Sequence, residues 1–353
     1  MRQRIQVGVL GATGTVGQRF VQLLDAHPWF EIRFLAASER SVGQRYAEAC
    51  SWKLPTPMPD AVRDLIVVDP TPDAVEAPVV FSGLTSDVAE RVEPAFAEAG
   101  RAVISNASAF RMAPDVPLLI PEINADHIAL IEAQRRERGW PGLIVTNPNC
   151  STIALCLALA PLERQFGIER ILATTLQAIS GAGYPGVPSL DILGNLLPNI
   201  PKEEAKMENE TKKIFGQLAA DRIDPHAMTV SVTTTRVPVL EGHTESVSLQ
   251  LTGDPTIADA RSALEAYRSR PQELELPSAP SRPVVVTADP DRPQPRLDCD
   301  LEGGMATVVG RLRPCPVLGV KFVLLGHNTI RGAAGASVLN AELLHAEGVL
   351  PIP

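Results

Sequence analysis

A glycine-rich turn near the start of the chain is the feature that most restricts its possible folds. The apolar run 5–10 predicts a buried strand, residues 11–17 have the spacing G-x-x-G-x-x-G, and a helical pattern covers 18–26. Glycines in such a strand–turn–helix unit let the backbone approach a pyrophosphate, and the helix N-terminus favours the anion. We therefore expect a dinucleotide site here, with a tight structural turn as the alternative.

Apolar strand-like runs alternate with helical stretches over the first half of the chain. The pattern predicts strands at 31–37, 65–68, 79–82, 102–105 and 143–146, and helices at 87–99 and 124–139. Such alternation is typical of an α/β fold with a doubly wound parallel sheet. Ligands bind such sheets in the loops beyond the strand C-termini, so Arg111, in the loop after 102–105, could meet an anion. A solvated surface arginine is the alternative.

The residues after the second predicted strand bear on cofactor choice. An acidic residue at this strand end usually contacts the ribose hydroxyls of NAD. Here Ser38, Arg40 and Ser41 follow the strand instead. Hydroxyls and a guanidinium suit a 2′-phosphate, which favours NADP if the intervening Glu39 points away. A polar turn without a ligand is the alternative.

Composition excludes several classes of protein. The 353 residues suffice for two domains, and the net charge of -9 without a basic block argues against a nucleic-acid or anionic-membrane surface. No apolar run reaches the roughly eighteen residues of a membrane span, and the chain begins with a strand pattern rather than a signal peptide. The five cysteines form no C-x-x-C pair. We therefore expect a cytoplasmic protein without disulfides or a metal site.

A cysteine follows a turn signal in the middle of the chain. Asn147-Pro148-Asn149 separates the apolar run 143–146 from the helical apolar run 153–159, which puts Cys150 at a helix start. Unpaired N–H groups and the helix dipole at that position lower a thiol pKa and favour the nucleophilic thiolate. The alternative is a small buried side chain.

The second half of the chain changes in character. A strand is predicted over 170–177, a glycine-rich loop follows at 181–186, and Pro201 is expected to open a charged helix over 202–215. Alternating patterns at 229–235 and 246–251 indicate an antiparallel sheet with one open face. Further predicted elements are a helix at 256–267, strands at 306–313 and 317–325, and a final helix at 332–344.

Five motifs together resemble one enzyme family. They are Gly11-Ala12-Thr13-Gly14-Thr15-Val16-Gly17, Asn147-Pro148-Asn149-Cys150, Gln177-Ala178-Ile179-Ser180-Gly181, Glu203-Glu204-Ala205-Lys206, and Arg236 followed after six residues by His243. Their order and spacing resemble aspartate-β-semialdehyde dehydrogenase over essentially the whole chain. The segment 38–41 and the insertion 177–200 resemble its archaeal and fungal branch.

The resemblance implies a fold and a reaction. The fold would be an N-terminal Rossmann-type NADP-binding domain, residues 1–149 and 330–353, plus an α+β catalytic and dimerisation domain, residues 150–329. The enzyme would reduce L-aspartyl-4-phosphate with NADPH, release phosphate and give L-aspartate 4-semialdehyde, in lysine, threonine and methionine biosynthesis. It would act as a homodimer or homotetramer.

The resemblance also implies a role for each matched residue. Cys150 would form a thioester, His243 would act as general base and later as the acid–base group, and Gln177 would orient the acyl group. The substrate ligands would be Arg236 for the α-carboxylate, Glu203 for the amino group, and Lys206, Arg111 and Asn149 for the phosphate. The cofactor residues would be Gly11, Thr13, Gly14, Thr15, Val16, Gly17, Ser38, Arg40, Ser41, Gly181 and Asn328.

Four other functions compete with this interpretation. A malonyl-CoA reductase would share the fold, the cysteine and NADPH, but its substrate has no amino group for Glu203. N-acetylglutamyl-phosphate reductase shares the chemistry but lacks the E-x-x-K helix. A non-catalytic NADP sensor would not need Cys150, Gln177, Arg236 and His243 together. A cysteine hydrolase would leave the glycine-rich turn without a purpose.

Overall fold

Six parallel strands form the first sheet of the computed structural model, which describes residues 4–351. The strands are β1 (Ile5–Leu10), β2 (Phe30–Ala36), β3 (Val67–Val68), β4 (Val79–Ser82), β5 (Ala102–Ser105) and β6 (Leu143–Thr146). Their order is β3-β2-β1-β4-β5-β6, so the chain reverses direction across the sheet between β1 and β4. The predicted doubly wound parallel sheet is confirmed. Residues 1–3 and 352–353 of the predicted domain bounds lie outside the described residues.

Helices cover both faces of this sheet. They are α1 (Thr15–Leu24), α2 (Tyr46–Ala49), α3 (Asp60–Arg63), α4 (Ser86–Glu98), α5 (Pro121–Asn124) and α6 (Leu130–Arg138). The predicted helix 124–139 is wrong in its first part, where a 3₁₀ turn, Ala125–Ala129, separates α5 from α6. The Asn124 side chain bonds the N–H of Ile120 and the carbonyl of Leu118. These local side-chain bonds compete with helix continuation.

The last helix of the described chain returns to this first sheet. It is α13 (Gly335–Ala346), preceded by a π-helical turn, Ile330–Ala334, that the sequence pattern did not predict. Val338, Leu339 and Leu343 on α13 lie in the same apolar core as Val7 and Phe81. A chain of polar side chains also links this helix to the loops that follow β5 and β6. Asn340 Nδ2 donates to Asn147 Oδ1 at 2.8 Å, and Asn147 Nδ2 donates to Asn106 Oδ1 at 2.7 Å.

The second sheet is mixed. Its strands are β7 (Ile168–Gln177), β10 (Thr229–Arg236), β11 (His243–Leu251), β12 (Val284–Val286), β13 (Thr307–Cys315) and β14 (Gly319–Gly326), in the order β10-β7-β11-β14-β13-β12. The expectation of an antiparallel sheet is wrong for two pairs, because β10 is parallel to β7 and β12 is parallel to β13. Residues 178–228 return the chain to the other end of β7, as a parallel pair requires.

Helices cover one face of the second sheet. The helices of this domain are α7 (Cys150–Phe166), α8 (Ser189–Ile192), α9 (Glu203–Ile214), α10 (Ile257–Ala266), α11 (Arg270–Glu273) and α12 (Pro295–Asp298), and β8 (Gln217–Leu218) pairs with β9 (Ile223–Asp224). Leu155 and Leu159 on α7 pack on the sheet with Leu264 on α10. The opposite face is open, with Leu172 and Leu176 on β7 49% and 40% exposed.

The start of α9 differs from the prediction. Pro201 does not open this helix, because Lys202 has φ 64° and the helix begins at Glu203.

Within residues 4–351, no helix combines the length and the apolar character needed to cross a membrane.

Candidate active site

The parallel pairing of β10 with β7 brings three predicted site residues to one sheet edge. Gln177 ends β7, Arg236 ends β10, and the two are register partners. Because β11 is antiparallel to β7, its first residue, His243, lies at the same edge. The start of α7 adds Cys150, whose Sγ lies 3.2 Å from His243 Nε2. The structure therefore brings the predicted nucleophile and its predicted base into contact.

Cys150 is the first residue of α7, as predicted. Asn149 is the N-cap, and its Oδ1 accepts from the N–H groups of Ser151 and Thr152 at 2.9 and 3.3 Å. The expected lowering of the thiol pKa does not hold. Burial, followed by the charge of Glu203, raises the pKa of Cys150 to about 12, although Arg111 and Arg236 act in the opposite direction. The resting thiol is therefore protonated at neutral pH.

His243 is fully buried and uncharged at neutral pH. Burial, then the charges of Arg236 and His327, lower its pKa to about 3. Its Nδ1 accepts from the N–H of Ala178 at 3.0 Å, so the neutral ring carries its proton on Nε2, facing Cys150 Sγ. For the ring to accept a proton on Nε2, the ring must leave the Ala178 amide and hold its own proton on Nδ1.

Arg236 and Gln177 form the side of the site next to His243. Arg236 is buried, and its Nη1 donates to the carbonyl of Ala178 at 2.8 Å. Gln177 is 1% exposed, and its Oε1 has no hydrogen-bond partner within residues 4–351. Gly181 passes so close that a Cβ there would lie 2.7 Å from Arg236 Nη1 and 3.1 Å from His243 Nε2. Gly181 therefore borders the site itself.

Helix α9 contributes a further set of side chains to the site. Glu203 Oε1 accepts from Asn149 Nδ2 at 2.6 Å, and its Oε2 lies 3.9 Å from Lys206 Nζ. Arg111 is not a solvated surface residue, because only 8% of it is exposed. Its Nη1 contacts Glu210 at 3.1 Å, and its Nη2 donates to the carbonyl of Asn106 at 2.7 Å. The structure thus brings Glu203, Asn149 and Arg111 to the same wall beside Cys150.

Two residues of this wall were missed in the sequence. Glu210 Oε2 accepts from the N–H of Asn149 at 2.6 Å. Lys213 Nζ donates to the carbonyls of Arg111, Ala113 and Val116 at 2.8, 2.7 and 2.8 Å, and burial lowers its pKa to about 8. A signal was present, because residues 203, 206, 210 and 213 have the spacing of one helix face.

The predicted nucleotide loop lies at the point where the strand order of the first sheet reverses. Residues 11–14 connect β1 to α1 beside the change of direction between β1 and β4, the usual place for a dinucleotide. Ser38 and Arg40 are exposed just beyond β2, and the N–H of Ser41 donates to the Ser38 carbonyl at 2.8 Å. These residues are free to meet a ligand.

Asn328 has two partners in the structure. Its Oδ1 accepts from the N–H of Gly242 at 2.8 Å, and its Nδ2 donates to Ser180 Oγ at 2.8 Å. The side chain therefore joins the loop before His243 to the loop that carries Gly181. One hydrogen of Nδ2 is left for a further acceptor.

Two observations concern metals and cysteines. Within the described range 4–351, no three His, Cys, Asp or Glu side chains are arranged to hold a metal ion. Cys50, Cys150, Cys156, Cys299 and Cys315 are all unpaired.

Comparisons with known proteins agree with this fold. Residues 6–131 match the family described as "Semialdehyde dehydrogenase, NAD binding domain", and residues 159–331 match "Semialdehyde dehydrogenase, dimerisation domain". The aspartate-semialdehyde dehydrogenase of Methanothermobacter thermautotrophicus is 54% identical over 97% of this chain and 99% of its own.

Two solved structures are also similar. The crystal structure of aspartate semialdehyde dehydrogenase with NADP from Candida albicans has a TM-score of 0.91 and 44% identity, covering 98% of this chain and 100% of that one. Aspartate semialdehyde dehydrogenase II complexed with ASA from Vibrio cholerae has a TM-score of 0.77 and 28% identity, covering 97% and 98%. This chain therefore belongs to the aspartate-semialdehyde dehydrogenase family.

Proposed function

We propose that this chain is an NADP-dependent aspartate-semialdehyde dehydrogenase that reversibly converts L-aspartyl-4-phosphate to L-aspartate 4-semialdehyde. The observation that carries the proposal is the contact of Cys150 Sγ with His243 Nε2 at 3.2 Å. The charges of Arg236, Arg111 and Glu203 all act on Cys150. The relatives named above support the proposal, one bearing NADP and another ASA. The enzyme would serve lysine, threonine and methionine biosynthesis.

Cys150 is the proposed nucleophile of the first step. Its sulfur attacks the acyl carbon while His243, as general base, takes the thiol proton and passes it to the departing phosphate. The C–O bond to phosphate breaks, and the thioester and hydrogen phosphate form, so atoms and charge balance. Gln177, with its buried unpartnered Oε1 and its amide N–H groups, orients the acyl group. The backbone N–H of Cys150 is suited to a developing oxyanion, because Asn149 Oδ1 already accepts from the N–H groups of Ser151 and Thr152.

His243 is the proposed acid–base group of the second step. NADPH, when bound, supplies the hydride that reduces the thioester carbon. The oxygen then needs a proton, which comes from the solvent because the thiol proton has left with phosphate, and this proton must leave again in the reverse direction. His243 can move this proton when its ring leaves the Ala178 amide, which is 3.0 Å from Nδ1. The Cys150–carbon bond then breaks, and the aldehyde and thiol are formed.

The charged walls of the site fit both ends of aspartyl phosphate. Arg236 offers its guanidinium to the α-carboxylate, and Glu203 offers a carboxylate to the α-ammonium. Lys206, Arg111 and the free Nδ2 hydrogen of Asn149 are the proposed phosphate ligands. The substrate ammonium would replace the contact of Asn149 with Glu203, now 2.6 Å. A malonyl-CoA substrate would leave Glu203 without a partner.

The cofactor site, the domains and the assembly belong to the same proposal. The loop 11–17, with Gly11, Thr13, Gly14, Thr15, Val16 and Gly17, would bind the pyrophosphate of NADP, and Ser38, Arg40 and Ser41 its 2′-phosphate. Asn328 and Gly181 would meet the nicotinamide end. Residues 1–149 and 330–353 would form the NADP-binding domain, and 150–329 the catalytic and dimerisation domain. The open face of β7, where Leu172 and Leu176 are exposed, would pair two chains. The enzyme would be cytoplasmic.

Kinetics of Glu203→Gln test the substrate assignment. Loss of a charge-assisted hydrogen bond of about 1.5–3 kcal/mol should lower kcat/KM for aspartate semialdehyde by about one to two orders of magnitude. Succinic semialdehyde lacks the amino group, so its slow turnover should be unaffected. Glu204→Gln is the control, because Glu204 accepts from the N–H of Thr234, a bond that a glutamine oxygen can keep. Unchanged kinetics with aspartate semialdehyde, or faster turnover of malonyl-CoA, would contradict the proposal.

A further inference from the structure

Glu210 is a buried carboxylate that the proposed reaction does not use. It lies on α9, is 1% exposed, and touches two parts of the site. Oε2 accepts from the N–H of Asn149, directly before Cys150, and Oε1 contacts Nη1 of Arg111 at 3.1 Å. Glu210 thus links the start of the nucleophile helix to the arginine proposed to bind phosphate.

The walls of the site contain four cations and two carboxylates, and one of the cations, Lys213, is bound to three backbone carbonyls. Arg111 is paired with Glu210 at 3.1 Å, and Lys206 lies 3.9 Å from Glu203. Within residues 4–351, Arg236 forms no salt bridge. In the proposed reaction, the substrate ammonium binds Glu203 and balances its negative charge. Glu210 is then the remaining carboxylate whose charge opposes phosphate binding. A charge this close to a cation strongly reduces the field that a ligand anion experiences.

Lys213 keeps Arg111 within reach of Glu210. Its ammonium binds three carbonyls of the loop 111–116, including that of Arg111 itself. Glu210 and Lys213 are three residues apart on α9 and therefore share one helix face. The backbone of Arg111 is thus held independently of Glu210. Removing the carboxylate should leave the guanidinium with its bond to the Asn106 carbonyl but without a counter-charge, and should not release the loop.

We propose that Glu210 is a positioning residue and fixed counter-charge that weakens the hold of Arg111 on phosphate, so that this product can leave. The proposal rests on the proposed function, because it assigns phosphate to Arg111. A carboxylate is needed at this position, since it alone offers one acceptor to the Asn149 N–H and a second, negatively charged one to Arg111.

Glu210→Gln separates these two tasks. The amide oxygen can keep the short bond to the Asn149 N–H, while the amide nitrogen faces Arg111 and provides neither charge nor acceptor. We expect the phosphate KM with aspartate semialdehyde and NADP to fall about five- to tenfold, and kcat in the reductive direction to fall as phosphate release slows. Protection of Cys150 from iodoacetamide by inorganic phosphate should become tighter by the same factor without turnover.

The alkylation pH profile provides a readout that a purely structural role would not move. Arg111 and Arg236 lower the pKa of Cys150 and Glu203 raises it, while His243 contacts the sulfur. Glu210→Gln retains all four groups and removes only the counter-charge of Arg111, so the alkylation midpoint should shift to lower pH. Glu208→Gln is the matched control, because Glu208 lies on the same helix and accepts from the N–H of Val232 at 3.1 Å. That control should leave both readouts unchanged.

A second variant keeps the proposal testable if Glu210→Gln does not fold. Glu210→Asp withdraws the carboxylate from Arg111 by one methylene and should tighten phosphate binding in the same direction by a smaller factor. Unchanged or weaker phosphate binding in the folded variants would overturn the counter-charge role. A wild-type protein that neither turns over nor is protected by phosphate would instead contradict the proposed function.

Discussion

Gly332 provides the sharpest steric test of the active site. It lies in the π-helical turn Ile330–Ala334 and faces the start of α7. A Cβ at this position would lie 2.6 Å from Cys150 Cβ, 3.0 Å from its Cα and 3.3 Å from its carbonyl oxygen. An ordinary contact begins at 3.4 Å, so Gly332→Ala must increase the separation between Cys150 and the turn 330–334 by roughly 0.8 Å.

The size of the expected defect follows from this displacement. Gly332 has no left-handed φ, so alanine is strained only by the contact with Cys150. A misplacement near 1 Å can cost about 10²-fold in rate, and overpacking costs about 1–3 kcal/mol of stability. We expect kcat/KM for aspartate semialdehyde to fall about 10- to 100-fold, with NADP binding retained.

Steady-state kinetics, thermal unfolding and NADP titration together check this prediction. Gly253→Ala is the control, because a Cβ there meets no atom within 4 Å. It adds the same methyl group and should leave kcat/KM unchanged. Wild-type kcat/KM in a folded Gly332→Ala protein would show that the nucleophile position tolerates the shift, and would refute the steric reasoning.

Three other perturbations test separate parts of the molecule. His243→Ala should slow kcat by about 10²–10⁴-fold with little change in substrate KM; a change in KM alone would make His243 a binding residue. Ser38→Asp should move the kcat/KM preference from NADP toward NAD, because it places a negative charge where the 2′-phosphate is proposed to lie; equal use of both cofactors by the wild type would contradict this assignment. Glu245 is fully buried without a partner within residues 4–351, and burial raises its pKa well above the ordinary value. The folded state therefore holds a proton that the unfolded state releases above about pH 4.5. This carboxyl should cost stability progressively as pH rises, by up to about 1.4 kcal/mol per pH unit. Glu245→Gln should stabilise the fold at pH 8 more than at pH 5 in denaturant unfolding, and equal effects at both would refute the assignment.

Local patterns predicted the elements that carry the site better than the contacts between them. The glycine turn and the strand alternation led to the correct parallel sheet, and Asn149 with Cys150 correctly marked the start of α7. The order and spacing of the five motifs indicated the family. The turn, strand and helix-start signals each depend on residues that are close in the sequence. Local structure of this kind can be predicted from a single sequence.

Long-range packing accounts for what the sequence did not predict. The segment 203–214 has the composition of a solvated surface helix, yet Glu210 and Lys213 are buried because the loop 111–116 covers them. The thiol pKa of Cys150 depends on burial by other segments, which outweighs the local helix dipole. The parallel alignment of β10 with β7 depends on the path of residues 178–228, whose pattern does not specify strand direction.

The return of α13 to the first sheet affects how the chain can fold during synthesis. Val338, Leu339 and Leu343 belong to the core that also contains Val7. This core therefore cannot be completed until α13 has emerged from the ribosome, long after β1. The second domain, whose strands lie between 168 and 326, can form earlier. We expect the nascent residues of the first sheet to expose apolar surface until α13 emerges, and to depend on chaperones during that interval.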